Sequence, residues 1–190
     1  MSLKCRVVEK NICLTLLEGG RTLSPEVFKA TYGAWVFDDA LQHVAVRRLV
    51  FGDNQAADAA AKKRKGRNDM KWLFDELYKK GVRNIIKVVI DDLEFPSHSD
   101  ESIEKALENF DIEILNWKKV DICPVAIQRA CRKAGVVELH LWWSGNNGIL
   151  RAWAAEDGLA ELPRLEHIYL HQTEVSISNG FFGIDIYLNT

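Results

Sequence analysis

Two acidic residues are the first candidates for chemistry in this chain. Asp91 and Asp92 follow an apolar run that is predicted to be a strand. Ligands of α/β proteins bind beyond the carboxyl ends of strands, and paired carboxylates there could hold Mg²⁺. Phosphoryl transfer would also need a positioned Lys with a Ser or Thr, and the sequence has no typical arrangement of them. A solvated turn is therefore the preferred interpretation, and no metal site is predicted.

Residues 97–100 combine the residue types of a catalytic triad. Ser97, His98, Ser99 and Asp100 are adjacent in the chain, whereas triad residues converge from separate segments. Ser99 is better explained as the N-cap of a helix whose first turn holds Asp100. No catalytic residue is predicted here.

The loop from Ser144 to Gly148 is the third candidate. It precedes a predicted helix, so its N–H groups could cradle an anion. It lacks a Walker Lys and the G-x-G-x-x-G spacing, and turn formation is the favoured explanation of its glycines. A small α/β enzyme or nucleotide-binding protein that uses this loop with Asp91 and Asp92 is the alternative function.

Rings and apolar residues alternate along two predicted strands. The ring-bearing residues are His140, Trp142, His167, Tyr169 and His171. Residues two apart on a strand share a face, which predicts one sheet face for all five. His167 and His171 would lie about 13 Å apart, too far to chelate one ion, and neither a metal nor a cofactor is predicted. Rings that offer apolar area and hydrogen bonds favour a protein partner, while cover by N-terminal helices is the alternative.

The elements that must position these residues are repeated β-α units. Residues 136–142 alternate as a half-buried strand does, residues 149–157 form a predicted helix, and residues 165–171 repeat the first strand. Further strands are predicted at residues 82–90, 112–117 and 181–188, and further helices begin near Asp69, Ser99 and Pro124.

Strands that alternate with helices predict an α/β fold with a mainly parallel sheet. The alternation within residues 136–142 and 165–171 gives the sheet one polar face. This favours helices on one side only, in a leucine-rich-repeat-like arrangement. Residues 82–90 are more uniformly apolar and keep a Rossmann-like three-layer arrangement as the alternative.

Residues 1–51 are predicted to be an N-terminal helical segment. Ser24 and Pro25 suit a helix start, and apolar residues continue at roughly helical spacing to Val50.

Residues 52–68 contain no large apolar side chain and include a basic run from Lys62 to Arg67, which predicts a linker. A nuclear-import or phosphate-binding patch is the alternative for this run. Residues 69–190 are then the βα-repeat domain.

Composition narrows the class of protein. A chain of 190 residues with 47% hydrophobic residues can bury a substantial core. The net charge of -2 gives no reason to expect nucleic acid or membrane binding, and no apolar run approaches the roughly 20 residues that span a bilayer. Four cysteines without a C-x-x-C motif indicate reduced thiols. A cytoplasmic location is predicted, with nuclear import through Lys62 to Arg67 as the alternative.

Several short motifs follow one another between residues 70 and 172. They are the run from Trp72 to Gly81, Val89-Ile-Asp-Asp92, His98-Ser-Asp100, Trp117-Lys-Lys-Val-Asp121, Trp143-Ser-Gly-Asn-Asn147, Leu150-Arg-Ala-Trp153 and Leu162-Pro163. In this order they resemble the region that precedes the peptidase domain in fungal intracellular subtilisin-like proteins. The resemblance implies an accessory domain and no catalytic residue, since the Asp-Thr/Ser-Gly, His-Gly-Thr and Gly-Thr-Ser-x-Ala motifs of the peptidase are absent. The sequence therefore predicts a non-enzymatic intracellular interaction or regulatory domain.

Overall fold

The computed structural model describes residues 13–17, 22–47, 50–51, 66–93, 96–132, 135–173 and 183–189. Its strands, in chain order, are β1 (Cys13–Leu17), β2 (Thr22–Leu23), β3 (Ala40–Arg47), β4 (Val50–Phe51), β5 (Asn84–Asp91), β6 (Asp111–Lys118), β7 (Glu138–Trp143), β8 (His167–Thr173) and β9 (Gly183–Asn189). Its helices are α1 (Pro25–Tyr32), α2 (Asp69–Lys79), α3 (Asp100–Leu107), α4 (Pro124–Ala130) and α5 (Asn147–Trp153), with a 3-10 turn at Leu159–Glu161. The predicted α/β fold is confirmed.

The main sheet has seven strands in the order β1-β3-β5-β6-β7-β8-β9. Its first six strands run parallel, as the sequence predicted, and β9 pairs with β8 antiparallel. The short strands β2 and β4 form a separate parallel pair. Each new strand of the main sheet is added on the same side as the one before. Because crossovers between parallel strands are right-handed, this order keeps the connecting helices on one face, whereas a Rossmann-like sheet reverses direction.

One apolar pattern recurs in the strands and fills the space under the helices. Apolar residues occupy positions i, i+3 and i+5 of this pattern. The pattern occurs at Leu41, Val44 and Val46, at Ile85, Val88 and Ile90, at Ile112, Leu115 and Trp117, at Val136, Leu139 and Leu141, and at Leu165, Ile168 and Leu170. All of these side chains belong to the core or pack against it. Burial of each fully buried member contributes roughly 1.5–3 kcal/mol, so this pattern is a substantial source of stability.

The N-terminal prediction is partly wrong. Helix α1 begins at Pro25 with Ser24 as its cap, as predicted, but it ends at Tyr32. Residues Ala40–Arg47 form strand β3 instead of continuing as a helix. The spacing of Leu41 and Val44 is compatible with a helix and with a strand. Pairing with β5 stabilises the strand, because it places both side chains in the core. Residues 1–12 of the predicted helical segment lie outside the described residues.

The predicted boundary at residues 52–68 lies mostly outside the described residues and stays a prediction. The segments before and after it nevertheless share one sheet, since β3 pairs with β5 along most of its length. The 1–51 segment therefore contributes strands β1 and β3 to the repeat sheet and is not a purely helical unit.

Candidate functional site

Four rings form a row on the face of β7 and β8 that lies opposite the core. His140 and Trp142 stand on β7, and Tyr169 and His171 stand on β8, where they alternate with the core residues of these strands. All four are half-buried. We call them the ring ladder. The structure thus brings together four of the five residues predicted to share a sheet face.

The rings of the ladder stack across the strands. The ring centroids of His140 and Tyr169 lie 4.7 Å apart with planes 16° from parallel, and those of Trp142 and His171 lie 4.6 Å apart at 20°. Each pair consists of register partners on neighbouring strands. Since neighbouring strands lie about 4.8 Å apart, the stacking direction follows the plane of the sheet. Ring edges, and not ring faces, therefore point away from the sheet.

Hydrogen bonds link the two stacked pairs. Nδ1 of His140 lies 2.9 Å from Nε2 of His171, with the two rings only 8° from parallel. Nε2 of His140 lies 2.8 Å from Oε1 of Glu138 on the same strand. A carboxylate only accepts hydrogen bonds, so the proton in the second contact belongs to His140. Both nitrogens of His140 are therefore engaged within the sheet face.

The charge state of His140 is set by its surroundings. Burial lowers the pKa of His140 below its ordinary value of 6.5. Electrostatic interactions with His171 and Lys87 lower this pKa further, whereas Glu138 raises it. His140 is therefore neutral at neutral pH. A neutral ring that donates from Nε2 to Glu138 must accept at Nδ1, so Nε2 of His171 carries the shared proton.

The Trp142 end of the ladder is polar and positively charged. Nε1 of Trp142 donates a hydrogen bond to Oδ1 of Asn116 at 3.1 Å, and Nζ of Lys118 lies 5.4 Å from the centre of the indole. A cation at this distance from an indole is attracted to the ring by its quadrupole. The indole N–H is thus satisfied, while the positive charge of Lys118 lies over the Trp142 ring.

The fifth predicted residue, His167, lies outside the ladder. It is exposed at the start of β8 and takes part in none of the ring contacts among the described residues. Within the ranges that the structure describes, no three His, Cys, Asp or Glu side chains are grouped so as to hold a metal ion. The ladder is thus a surface of rings and hydrogen bonds.

The alternative, cover of the ladder by N-terminal helices, does not hold for the one N-terminal helix that the structure describes. Phe28 of α1 packs edge-on against Trp72 of α2, with ring centroids 5.3 Å apart. Helix α1 therefore adds to the helix layer beside α2. The ladder belongs to the opposite side of the sheet.

A second polar cluster is buried, and the sequence did not predict it. Nδ1 of His98 lies 2.8 Å from Oδ1 of Asp92, and the backbone N–H of His98 donates to both oxygens of this carboxylate. Nε1 of Trp117 donates to Oδ2 of Asp92 at 2.9 Å. On the other side, Nε2 of His98 lies 3.0 Å from Oδ1 of Asp69, and the guanidinium of Arg67 binds both oxygens of Asp69. We call these five residues the buried network.

When His98 is protonated, the buried network holds two cations and two anions. Burial alone would lower the pKa of His98, but hydrogen bonds and charges from Asp69 and Asp92 outweigh it and raise this pKa above 6.5. Burial likewise opposes ionisation of Asp69, but His98 and Arg67 outweigh it and hold the pKa of Asp69 well below its usual range. A protonated His98 donates a hydrogen bond from Nδ1 to Asp92 and forms an ion pair with Asp69 through Nε2. The charges therefore cancel within the network.

The buried network leaves the earlier chemical candidates with structural roles. Asp92 is 1% exposed and already accepts several hydrogen bonds, which removes it as a free metal ligand. Ser99 caps α3 by accepting from the N–H of Ser102, as predicted. The sequence hints at the network only through the short intervals from Arg67 to Asp69 and from Asp92 to His98, because these two pairs and Trp117 come from separate elements.

The Ser144–Gly148 loop is built as a turn. The N–H and the hydroxyl of Ser144 both bind the carboxylate of Asp121, and Asn146 caps α5 through the N–H of Gly148. Gly145 has a φ of 92°, which favours glycine. These contacts account for the residue types of the loop without a ligand.

The thiol of Cys131 is unreactive at neutral pH. Cys131 is buried in the core, and burial raises its pKa to about 12. Since the thiolate is the reactive form, Cys131 is not a nucleophile at neutral pH.

No protein-family model, curated protein or solved structure matches this chain. Among the described helices, none is both long and apolar enough to cross a bilayer.

Proposed function

We propose that this chain is a non-enzymatic protein-interaction domain that binds a protein partner through the ring ladder. The observation that carries the proposal is the position of the four half-buried rings on the sheet face that the described helices leave open. A row of rings of this size, rimmed by polar groups, is the composition found at the centres of protein interfaces.

The orientation of the rings favours a protein over a nucleic acid. Bases bind to a sheet by stacking on exposed ring faces. In the ladder the faces of His140 and His171 are covered by neighbouring rings, and only edges remain to contact a partner. Edges offer C–H groups and heteroatoms that suit side chains and backbone of a protein. The overall charge of -2 supports the same choice.

The internal contacts of two acidic residues, Asp92 and Asp121, support a non-enzymatic role. Asp92 is enclosed by His98 and Trp117, and Asp121 holds Ser144. The alternative of an α/β enzyme or nucleotide-binding protein depended on Asp91, Asp92 and the Ser144 loop. With Asp92 and this loop committed to internal contacts, the interaction domain is the better supported proposal.

The resemblance to the region before the peptidase domain of fungal intracellular subtilisin-like proteins fits this role. An accessory domain of that kind leaves catalysis to another domain. We propose an intracellular location on the same ground, with the basic run from Lys62 to Arg67 as a candidate nuclear-import signal.

A pulldown with matched variants tests the proposal. Wild-type protein, His140→Glu and Tyr169→Glu serve as baits, because a glutamate in the row introduces a charge that a partner must desolvate. Val125→Glu is the control, since Val125 is 43% exposed on helix α4, away from the ladder. Circular dichroism first shows that every bait is folded.

We expect at least one protein that binds wild type and Val125→Glu and is lost from both ladder variants. If every bound protein is retained by His140→Glu and Tyr169→Glu, the ladder is not the binding surface and the proposal is wrong.

A further inference from the structure

Helices α2 and α3 begin side by side and point in the same direction. Arg67 and His98 precede the two helices and form a parallel bridge, in which the N–H of Arg67 donates to the carbonyl of Ser97 at 2.9 Å and the N–H of Ser99 donates to the carbonyl of Arg67 at 3.2 Å. The bridge aligns the positive ends of two helix dipoles. An anion between these ends would be attracted by both.

A pocket of about 260 Å³ lies at these paired helix starts. Gly66 lines it, with a φ of 76° and so little space that an added Cβ would lie 2.8 Å from the backbone nitrogen of Ser99. Lys71 of α2 and Lys105 of α3 also line the pocket, together with Ser102 and Glu101. The pocket therefore combines two lysines with two helix N-termini.

Ser102 gives an independent sign of a ligand. The residue is only 5% exposed, and its hydroxyl has no hydrogen-bond partner among the described residues. A buried hydroxyl without a partner destabilises a fold, so such groups are usually satisfied by water, an ion or a ligand. Because Ser102 lines the pocket, an oxygen atom bound there is a suitable partner for this hydroxyl.

We propose that this pocket binds the phosphate group of a small anionic ligand. Lys71 and Lys105 supply charge, the hydroxyl of Ser102 supplies a hydrogen bond, and the first N–H groups of α2 add further donors. The cap residue of α2, Asn68, makes no side-chain hydrogen bond to them. Helix N-termini with lysines are a recurrent arrangement for phosphate groups.

Both lysines of the pocket form exposed ion pairs with acidic side chains. Lys105 pairs with Glu101, and Lys71 pairs with Asp75, at N–O distances of 2.5 Å. In both pairs the two side chains are at least 41% exposed. Exposed ion pairs contribute little in water, so each lysine is free to turn towards a phosphate.

Calorimetric titration of the whole chain with inorganic phosphate and with pyrophosphate, at constant ionic strength, tests the site. We expect saturable binding of one anion by the wild type. Ser102→Ala and Lys71→Gln should each weaken binding about tenfold, because each removes one direct contact. Lys79→Gln is the control, since Lys79 lies at the far end of α2 and pairs with Glu76.

Ser102→Ala also separates binding from folding. It removes a hydroxyl that has no partner, so the variant should be at least as stable as the wild type while it binds phosphate less well. Absence of saturable binding to the wild type, or equal affinity in all four proteins, overturns the proposal. This result is independent of the ring ladder, which lies on the other face of the sheet.

Discussion

Nδ1 of His98 lies 2.8 Å from Oδ1 of Asp92, and each residue is only 1% exposed. An ion pair at this depth adds little compared with an apolar core, but loss of one partner leaves the other charge buried and unpaired. Asp92 also receives the indole N–H of Trp117. The pair therefore ties the end of β5 to the start of α3 and to β6.

Asp92→Asn should lower the free energy of unfolding by about 3 kcal/mol, because it leaves a buried His98 without its closest anion. The adjacent Asp91→Asn is the matched control, since Asp91 is half-buried and outside the network. We expect a change within about 0.5 kcal/mol for the control. Urea denaturation measures both, and equal losses in the two variants would contradict the role of Asp92.

The stability of the protein should fall as pH rises above 6.5. The pKa of His98 is raised in the folded state, so its contribution is complete below the unfolded value of 6.5 and is lost as pH passes through the folded value. His140, whose pKa is lowered, acts in the opposite direction below 6.5. The difference between wild type and His98→Gln above pH 6.5 therefore isolates His98.

Unfolding free energies of wild type and His98→Gln between about pH 6.5 and 9 provide the measurement. The wild type should lose stability with pH more steeply than the variant. Parallel curves would show that His98 carries no extra proton in the folded state.

Gly66→Ala should be more destabilising than Gly81→Ala. Both glycines have positive φ, 76° and 98°, so alanine is strained at either position. A Cβ at Gly81 would meet nothing within 4 Å, whereas one at Gly66 would press on the backbone of Ser99. We expect Gly66→Ala to cost about 1 kcal/mol more than Gly81→Ala, from forced backbone shifts. Thermal unfolding of the two variants compares them directly, and equal melting temperatures would argue against the close packing of this loop.

Trypsin should cut the basic run after Lys62, Lys63, Arg64 or Lys65 before it cuts after Arg67. Arg67 is held by Asp69 and by backbone bonds to Ser97 and Ser99. Because β3 pairs with β5, the two fragments should stay associated after cleavage. Gel filtration of the digest shows whether they elute together. Separate elution, or resistance of the whole run, would contradict this prediction.

The sequence predicted the repeated β-α units because their apolar pattern is local. The spacing of Val136, Leu139 and Leu141 recurs at Leu165, Ile168 and Leu170, and a strand buried on one face needs no other information. Strand β3 was predicted to be helical because the spacing of Leu41 and Val44 fits a helix as well as a strand. Its partner β5 lies far along the chain, so only the tertiary pairing decided it.

The candidate site was predictable to the same extent. Alternation placed His140 and Trp142 on one face with Tyr169 and His171, but their stacking depends on the register between β7 and β8. A shift of one residue would have sent one set of rings into the core. The buried network was not predictable, since Asp69, Asp92, His98 and Trp117 come from different elements.

A sheet with its helices on one face cannot stay flat. Packed helices need about 8–10 Å each, whereas neighbouring strands need only about 4.8 Å. With one helix for each added strand, the helix layer is wider than the strand layer, and the sheet must bend around the side without helices. We therefore expect the ring ladder to lie on the concave face of the sheet, a shape that would match a convex surface on the proposed protein partner.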